Sequence, residues 1–383
     1  MRFRGTLCTR RRNMERRSFG TRSGLKVAPV SIGAMRLPGD GLDGVALVRK
    51  AIDAGMRYID TSRGYGESEF VLGKALKDGY REKVALSTKC SPWIKKVTDS
   101  DDGSADSVLR RIEESLLRLD VPYLDFYQVW NIHNRDAWEL ATKKGGMVDG
   151  IKKAMANGLV KHTGFTTHDS VDNLLEYLPQ ADWAEVILVS YNLLNRTYAP
   201  VLAKAHELGI GTIVMNPVGG GKFAENSPVL ATLAEQVGAA SVADLAVRFV
   251  ASNPDVDTML CGMSKPADVD DTIASVERGT FSDTQMDTIR AYFDERSREK
   301  VSFCTGCNYC MPCPQGIQIP QIMGAIYEDR FLGLKEGAKG AYGWATREVK
   351  PDACTKCKAC EKKCTQKLEI TRELEYALRE YGG

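Results

Sequence analysis

The sequence predicts an α/β protein: a closed (β/α)8 barrel followed by a small, mostly helical, cysteine-rich module. Three observations carry this reading. From about residue 14 to 280, eight short apolar runs alternate with longer amphipathic stretches. Eight of the eleven cysteines fall into two short clusters beyond residue 300. Near residue 298 the composition changes abruptly to cysteine, glycine and lysine.

The apolar runs are Val30–Met35, Tyr58–Thr61, Val84–Thr88, Leu124–Val129, Thr163–Thr166, Val186–Tyr191, Gly211–Met215 and Thr258–Cys261. Between them lie stretches of helical period: Gly44–Ala54, Glu67–Lys77, Ser104–Leu119, Asp136–Ala156, Ser170–Tyr177, Pro200–Glu207, Pro228–Val237 and Ala267–Val276. Near-continuous apolar strands alternating with helices imply a parallel sheet covered on both faces. Eight such units in about 250 residues fit a closed barrel. The competing arrangement is an open, doubly wound sheet, but no G-x-G-x-x-G follows the first strand. Ser104 or Asp106 can cap the helix running to Leu119. Ser227 before Pro228 is an N-cap followed by proline at the first helical position. Ser18–Val27, with Gly20 and Gly24, reads as a hairpin covering the barrel floor. Val242–Ala251 is an extra helix, and the charged helix Ser282–Glu299 leads out of the barrel. The expected domains are a basic extension at 1–13, a barrel at 14–297 and the cysteine module at 298–383.

Composition excludes several function classes. With 43% hydrophobic and 27% charged residues the chain reads as an ordinary globular protein. A net charge of +2 points to neither nucleic acid nor an anionic membrane as partner. No apolar run approaches the roughly 20 residues of a membrane span. Arg16-Arg17-Ser18-Phe19 resembles a twin-arginine signal, but no apolar stretch follows it. The arginine-rich start is therefore expected to be a basic extension, or translation starts at Met14, and the protein is expected in the cytoplasm. A reducing cytosol disfavours disulfides, so the clustered cysteines read as metal ligands. Cys8, Cys90 and Cys261 lie outside the clusters and read as inert thiols.

The first cluster is Cys304-x2-Cys307-x2-Cys310-x2-Cys313-Pro314, and the second is Cys354-x2-Cys357-x2-Cys360-x3-Cys364. Three thiolates at two-residue gaps wrap one iron–sulfur cube, and a more distant fourth cysteine often ligates the other cube of a pair. That logic predicts two [4Fe–4S] clusters. One takes Cys304, Cys307, Cys310 and Cys364, and the other takes Cys354, Cys357, Cys360 and Cys313. A zinc ribbon would use two cysteine pairs rather than two quadruplets. The first run has two residues before its last cysteine where the bacterial pattern has three, and the second ends Cys364-Thr365 rather than Cys-Pro. Forty residues separate the runs, with a helix over Pro320–Arg330 and a glycine-rich stretch over Gly333–Gly343. The module resembles helical two-cluster ferredoxin-type domains.

In the barrel, Tyr58-Ile59-Asp60-Thr61-Ser62 runs into Arg63-Gly64-Tyr65-Gly66-Glu67-Ser68-Glu69, and the next strand ends Ser87-Thr88-Lys89. An acid, a phenol and a lysine at the C-terminal ends of adjacent strands would converge on the catalytic face. A phenol of pKa about 10 is a sluggish proton donor. A nearby ammonium favours its phenolate, and a carboxylate would hold that ammonium charged and aimed.

D-T-S-x-x-Y-G-x-S-E-x-x-L-G-x-A-L, then S-T-K, L-D-F-Y and G-M-S, resemble the aldo/keto reductases. With its cysteine tail, the chain from Met14 resembles the subfamily carrying a C-terminal two-cluster ferredoxin domain. The resemblance implies a (β/α)8 TIM barrel, a nicotinamide cofactor, NAD(P)H, and hydride transfer between a carbonyl and an alcohol of a small-molecule substrate. It implies catalytic roles for Asp60, Tyr65 and Lys89. The family usually has histidine ending the fourth strand; this chain has Trp130, the fourth candidate catalytic residue, whose indole N–H can donate to a carbonyl oxygen. His133 lies three residues on. The cofactor positions it implies are Thr166, Asn192, Met215, Gly219, Gly221, Gly262, Ser264, Lys265 and Asp271. Asp268 stands where an arginine often meets the extra phosphate of NADP. The loops Trp93–Asp102, Asn131–Arg135 and Gly219–Asn226 would shape the pocket, with Trp93 and Trp130 as an apolar wall.

Three functions are open at this point. The barrel uses nicotinamide and the clusters relay electrons to or from a redox protein. Alternatively, the clusters feed single electrons to a barrel-bound substrate without nicotinamide. In the third, the barrel is the scaffold of an electron-transfer subunit, which the retained Asp60, Tyr65 and Lys89 argue against.

Overall fold

The computed structural model describes residues 14–38, 42–92, 101–193, 195–224, 227–298, 304, 310–364 and 368–382. The extension 1–13, the pocket loop 93–100 with Trp93, and Cys307 lie outside the described residues. An antiparallel hairpin, β1 (Arg17–Ser18) and β2 (Lys26–Val27), precedes the barrel. The barrel strands are β3 (Val30–Gly33), β4 (Tyr58–Asp60), β5 (Ala85–Cys90), β6 (Leu124–Ile132), β7 (Val160–Thr167), β8 (Val186–Ser190), β9 (Gly211–Met215) and β10 (Thr258–Cys261). They pair in parallel and close in the order β10-β3-β4-β5-β6-β7-β8-β9. Among the described residues no helix is long and apolar enough to cross a membrane.

The hairpin closes the floor. Its turn puts Phe19 against Tyr58 and Phe126, with ring centroids 5.3 and 5.6 Å away. Asp257 anchors it by accepting from the backbone N–H groups of Gly20 and Thr212, both at 2.9 Å. Gly20 needs to be glycine: its φ is +60°, and a Cβ there would lie 2.5 Å from the Gly211 nitrogen.

Parallel register arranges the interior in layers. Asp60 of β4 lies beside Ser87 of β5, and Lys89 of β5 lies beside Gln128 of β6. Residues two apart share a face. Tyr58 and Asp60, Ser87 and Lys89, and Phe126 and Gln128 therefore rise together from floor to mouth.

Three expected elements differ in outline. The run Val30–Met35 is strand only to Gly33, and Ala34–Arg36 forms a 3-10 turn. The stretch Asp136–Ala156 is two helices, Arg135–Thr142 and Met147–Ala156. Gly145 breaks it with φ at +73°. The glycine-rich stretch 333–343 is mostly helix, Lys335–Ala345, because Ala338, Tyr342 and Ala345 bury one face.

The chain forms two compact units. One carries the barrel and runs up to Tyr191, with Thr197–Pro217 and Val250–Thr280. The other comprises Asn192–Arg196, Val218–Phe249 and Phe281–Gly383. In this second unit Phe293, on the helix Asp283–Arg298, stacks on Phe331 at 5.8 Å, and Phe331 stacks on Tyr327 at 5.2 Å. Helices Ile319–Arg330, Lys335–Ala345 and Ile370–Tyr381 enclose a core of Ile322, Ile326, Ala338, Leu374 and Ala377.

Candidate active site and cysteine-lined hollow

Asp60 ends β4, and the loop after it is folded by its own polar residues. The Ser62 hydroxyl donates to the Lys89 carbonyl at 3.0 Å and accepts from the Gly64 N–H at 3.0 Å. The Tyr65 N–H donates to the Ser62 carbonyl at 3.0 Å. Thr61 and Ser68 share a hydroxyl–hydroxyl bond of 2.7 Å that ties the start of the following helix to the strand end. Glu69, fully buried, accepts from the Thr88 hydroxyl at 2.8 Å and from Arg118 at 2.9 Å. This motif therefore works as a brace that holds Tyr65 over β5.

The result is a buried polar chain. Lys89 donates to Asp60 Oδ2, and also to the Thr61 carbonyl at 2.9 Å. The Lys89 ammonium lies 5.0 Å from the centre of the Tyr65 ring and 5.9 Å from that of Trp130. Trp130 meets Tyr65 edge-on with centroids 5.4 Å apart. Trp130 lies two residues beyond Gln128 on β6 and so shares its inward face; there β6 advances from Val129 to Ile132 while β7 advances only from Phe165 to Thr167, a one-residue bulge. His133, beyond the bulge, keeps its Nδ1 3.3 Å from the Asn131 carbonyl oxygen.

Electrostatics fit proton transfer. Burial works against the Lys89 ammonium, but Asp60 and then Tyr65 more than restore it, so it is held above an ordinary lysine. Burial pushes Asp60 up, opposed chiefly by Lys89. Burial likewise raises the Tyr65 phenol, and Lys89 pulls it back. Tyr65 is thus a protonated phenol whose phenolate has a cation waiting for it.

The expected cofactor positions divide in two. Thr166, at the C-terminal end of β7, is 1% exposed, and its hydroxyl has no hydrogen-bond partner among the described residues. Such a buried orphan hydroxyl suits the carboxamide of a nicotinamide. Met215 ends β9, half-buried. Gly262 follows β10 and is exposed. Other positions are already engaged. Ser264 N–H, Ser264 hydroxyl and Lys265 N–H all donate to Asp268 Oδ2, at 2.9, 3.2 and 3.1 Å. Asp271 lies exposed on the helix Pro266–Glu277. In the second unit, Asn192 accepts from the Asn195 N–H at 2.9 Å. There too, Gly219, Gly220 and Gly221 all have positive φ, the conformation in which glycine backbone can approach a ligand closely.

The cysteine module presents a small hollow of about 20 Å³. Cys310, Cys313, Cys354, Cys357 and Cys360 line it, with Ile319 and Leu374 behind them. The loop Cys354–Cys360 turns through two non-glycine residues of left-handed φ, Lys356 at +55° and Lys358 at +59°. Such strain persists where the surrounding structure enforces it, commonly at functional sites. The Lys356 N–H donates to the Cys354 sulfur at 3.4 Å. Cys304 is half-buried and Cys364 buried, both against the same core. Among the described residues no set of three or more cysteine, histidine, aspartate or glutamate side chains converges as for a single metal ion.

Sequence reasoning missed Gln128, which touches Asp60, and the Glu69 brace. A glutamine between Tyr127 and Val129 in the middle of a buried barrel strand was the available signal for the first.

The aldo/keto reductase family model matches residues 29–294. L-galactose dehydrogenase of Arabidopsis thaliana is 28% identical over 290 residues, 69% of this chain and 88% of its own length. A 6-dehydroglucose reductase of Novosphingobium aromaticivorans is 29% identical over 222 residues, 53% of this chain and 68% of its own. An aldo-keto reductase from Bacillus halodurans, in its holo form, superposes with a TM-score of 0.64 at 22% identity. That match covers 73% of this chain and 96% of the other, and it shows the same fold.

Proposed function

The chain belongs to the aldo/keto reductase family, and from that premise we propose that it interconverts a carbonyl and an alcohol at the barrel mouth, with Tyr65 as general acid and base. It is an oxidoreductase of that type. The observation that carries the finer reading is the Asp60–Lys89–Tyr65 chain, with Asp60 and Lys89 both at most 3% exposed. A bound nicotinamide would supply or accept the hydride, and the buried Thr166 hydroxyl would hold it. In reduction the Tyr65 hydroxyl gives its proton to the carbonyl oxygen. Lys89 steadies the phenolate left behind, and Asp60 keeps Lys89 charged. In oxidation the phenolate takes the alcohol proton. Trp130 stands where a histidine is usual and shields the mouth as an apolar wall rather than as a proton carrier. Asp268, standing where an arginine often meets the extra phosphate of NADP, favours NAD, and the donors it takes at Ser264 and Lys265 are engaged. They also motivate a second reading, in which the barrel has abandoned nicotinamide.

Residues 298–383 form, in this proposal, a ferredoxin-type domain holding two [4Fe–4S] clusters. Cys313, Cys354, Cys357 and Cys360 would hold one; they share their hollow with Cys310. Cys304, Cys307, Cys310 and Cys364 would hold the other. Such clusters exchange single electrons, so a redox protein partner is part of the proposal. The two relatives named for sugar chemistry suggest a polyhydroxylated substrate.

The test is anaerobic turnover of the full chain with NADH or NADPH against a panel that includes L-galactose and 6-dehydroglucose. Activity lost in Tyr65→Phe supports the reading, and activity that Tyr65→Phe retains refutes the role of Tyr65. Iron and acid-labile sulfide should each be about eight per chain. About four of each would break the two-cluster assignment.

A further inference from the structure

Gln128 is fully buried in the barrel interior, between the aromatic floor and the mouth. Its Nε2 lies 3.1 Å from Asp60 Oδ1, 2.9 Å from the Ser87 hydroxyl and 3.3 Å from the Tyr58 hydroxyl. Its Oε1 has no hydrogen-bond partner among the described residues. A buried amide oxygen left unsatisfied is unfavourable, and an apolar side chain of similar shape would avoid that cost. The carboxylate fixes which way the amide points, since an ionised carboxylate only accepts.

We propose that Gln128 is a positioning residue for proton transfer: it pins Asp60 Oδ1, so that Oδ2 faces the Lys89 ammonium beneath Tyr65. The carboxylate is thereby gripped on both oxygens. Ser87 supports the same oxygen, its hydroxyl donating to Asp60 Oδ1 at 3.4 Å. Gln128 touches neither Tyr65 nor the mouth in this scheme and acts through Asp60 and Lys89. The charged groups acting on the Tyr65 phenol are Lys89 and Asp60. The neighbour of Asp60 on the floor side is the Tyr58 phenol, whose hydroxyl burial holds neutral.

The inference rests on the proposed role of Tyr65, but its test needs no substrate. A difluorotyrosine placed at position 65 brings the phenol's titration into the neutral range, where fluorine NMR reads its midpoint in the full chain. Gln128→Leu removes both donors and keeps the volume. The loosened Asp60 should hold Lys89 less well, raising the midpoint by about one pH unit. Gln128→Met removes the same donors with an unbranched apolar side chain of similar length, and it should raise the midpoint as far. A merely structural Gln128 would lower the melting temperature and leave the midpoint where it was. An unchanged midpoint in either folded variant overturns the proposal. If Gln128→Leu does not fold, Gln128→Met decides. A failure of carbonyl chemistry would instead show as absent turnover with the midpoint still shifted.

Discussion

Replacing Lys89 by methionine tests the buried ion pair on which the site is built. Lys89 and Asp60 have side-chain exposures of 1% and 4%, so the lone carboxylate left by Lys89→Met cannot be hydrated. It will take up a proton instead. The folded variant then binds one proton more than the unfolded chain, where an aspartate titrates near about 3.9. With more protons on the native state, stability must fall as pH rises, by about 1.4 kcal/mol per pH unit. The cost relative to an uncharged site is about 3 kcal/mol at pH 6 and about 5–6 kcal/mol at pH 8. That range matches the roughly 3–5 kcal/mol expected on breaking a buried pair. The double variant Asp60→Asn with Lys89→Met carries no buried charge and should show no such slope. Urea unfolding followed by circular dichroism, at three pH values and for both variants, gives the comparison. Equal stability of the single and double variants across that range would refute a desolvated, obligatory pair.

Other outcomes follow from the same structure. Carbonyl reduction needs the protonated phenol, and burial holds Tyr65 above the ordinary tyrosine value. The reduction rate should therefore stay flat through neutral pH and fall only as pH rises through the Tyr65 pKa, which a pH–rate profile measures. Burial pushes the Cys90 and Cys261 thiols up to about 12. In native protein treated with an iron chelator, mass spectrometry after alkylation near pH 8 should find both unmodified while Cys357, exposed in the loop, is labelled. Gly20→Ala forces a Cβ into the Gly211 backbone at positive φ, and thermal unfolding should show a loss of about 1–3 kcal/mol.

Much of the barrel was legible because its code is local. The strand Val186–Ser190 is apolar up to its last residue and buried throughout, and alternation with helices leaves few other folds. Asp60, Tyr65 and Lys89 were legible because strand ends in a barrel share one face. Ser104 and Ser227 cap their helices as their positions suggest, accepting from Ser107 and Leu230 N–H groups at 3.3 and 3.2 Å. What could not be read depends on register between strands. Gln128 meets Asp60 only because β6 pairs with β5 at Lys89. The edge-on contact of Trp130 with Tyr65 depends also on the loop after β4, which the strand pattern does not encode. The break at Gly145 was visible as a glycine pair, yet the helical period continues through it. At the helix Pro266–Glu277, Ser264 and Lys265 look like phosphate donors in the sequence. Only the side-chain geometry reveals that Asp268 has already taken both N–H groups.

The central claim is that nicotinamide serves this barrel, and direct binding tests it. The full chain, purified anaerobically, is titrated with NADH and separately with NADPH while protein fluorescence is followed. The account predicts saturable quenching by at least one of them, with NADH the tighter. No binding of either up to millimolar concentration would contradict it.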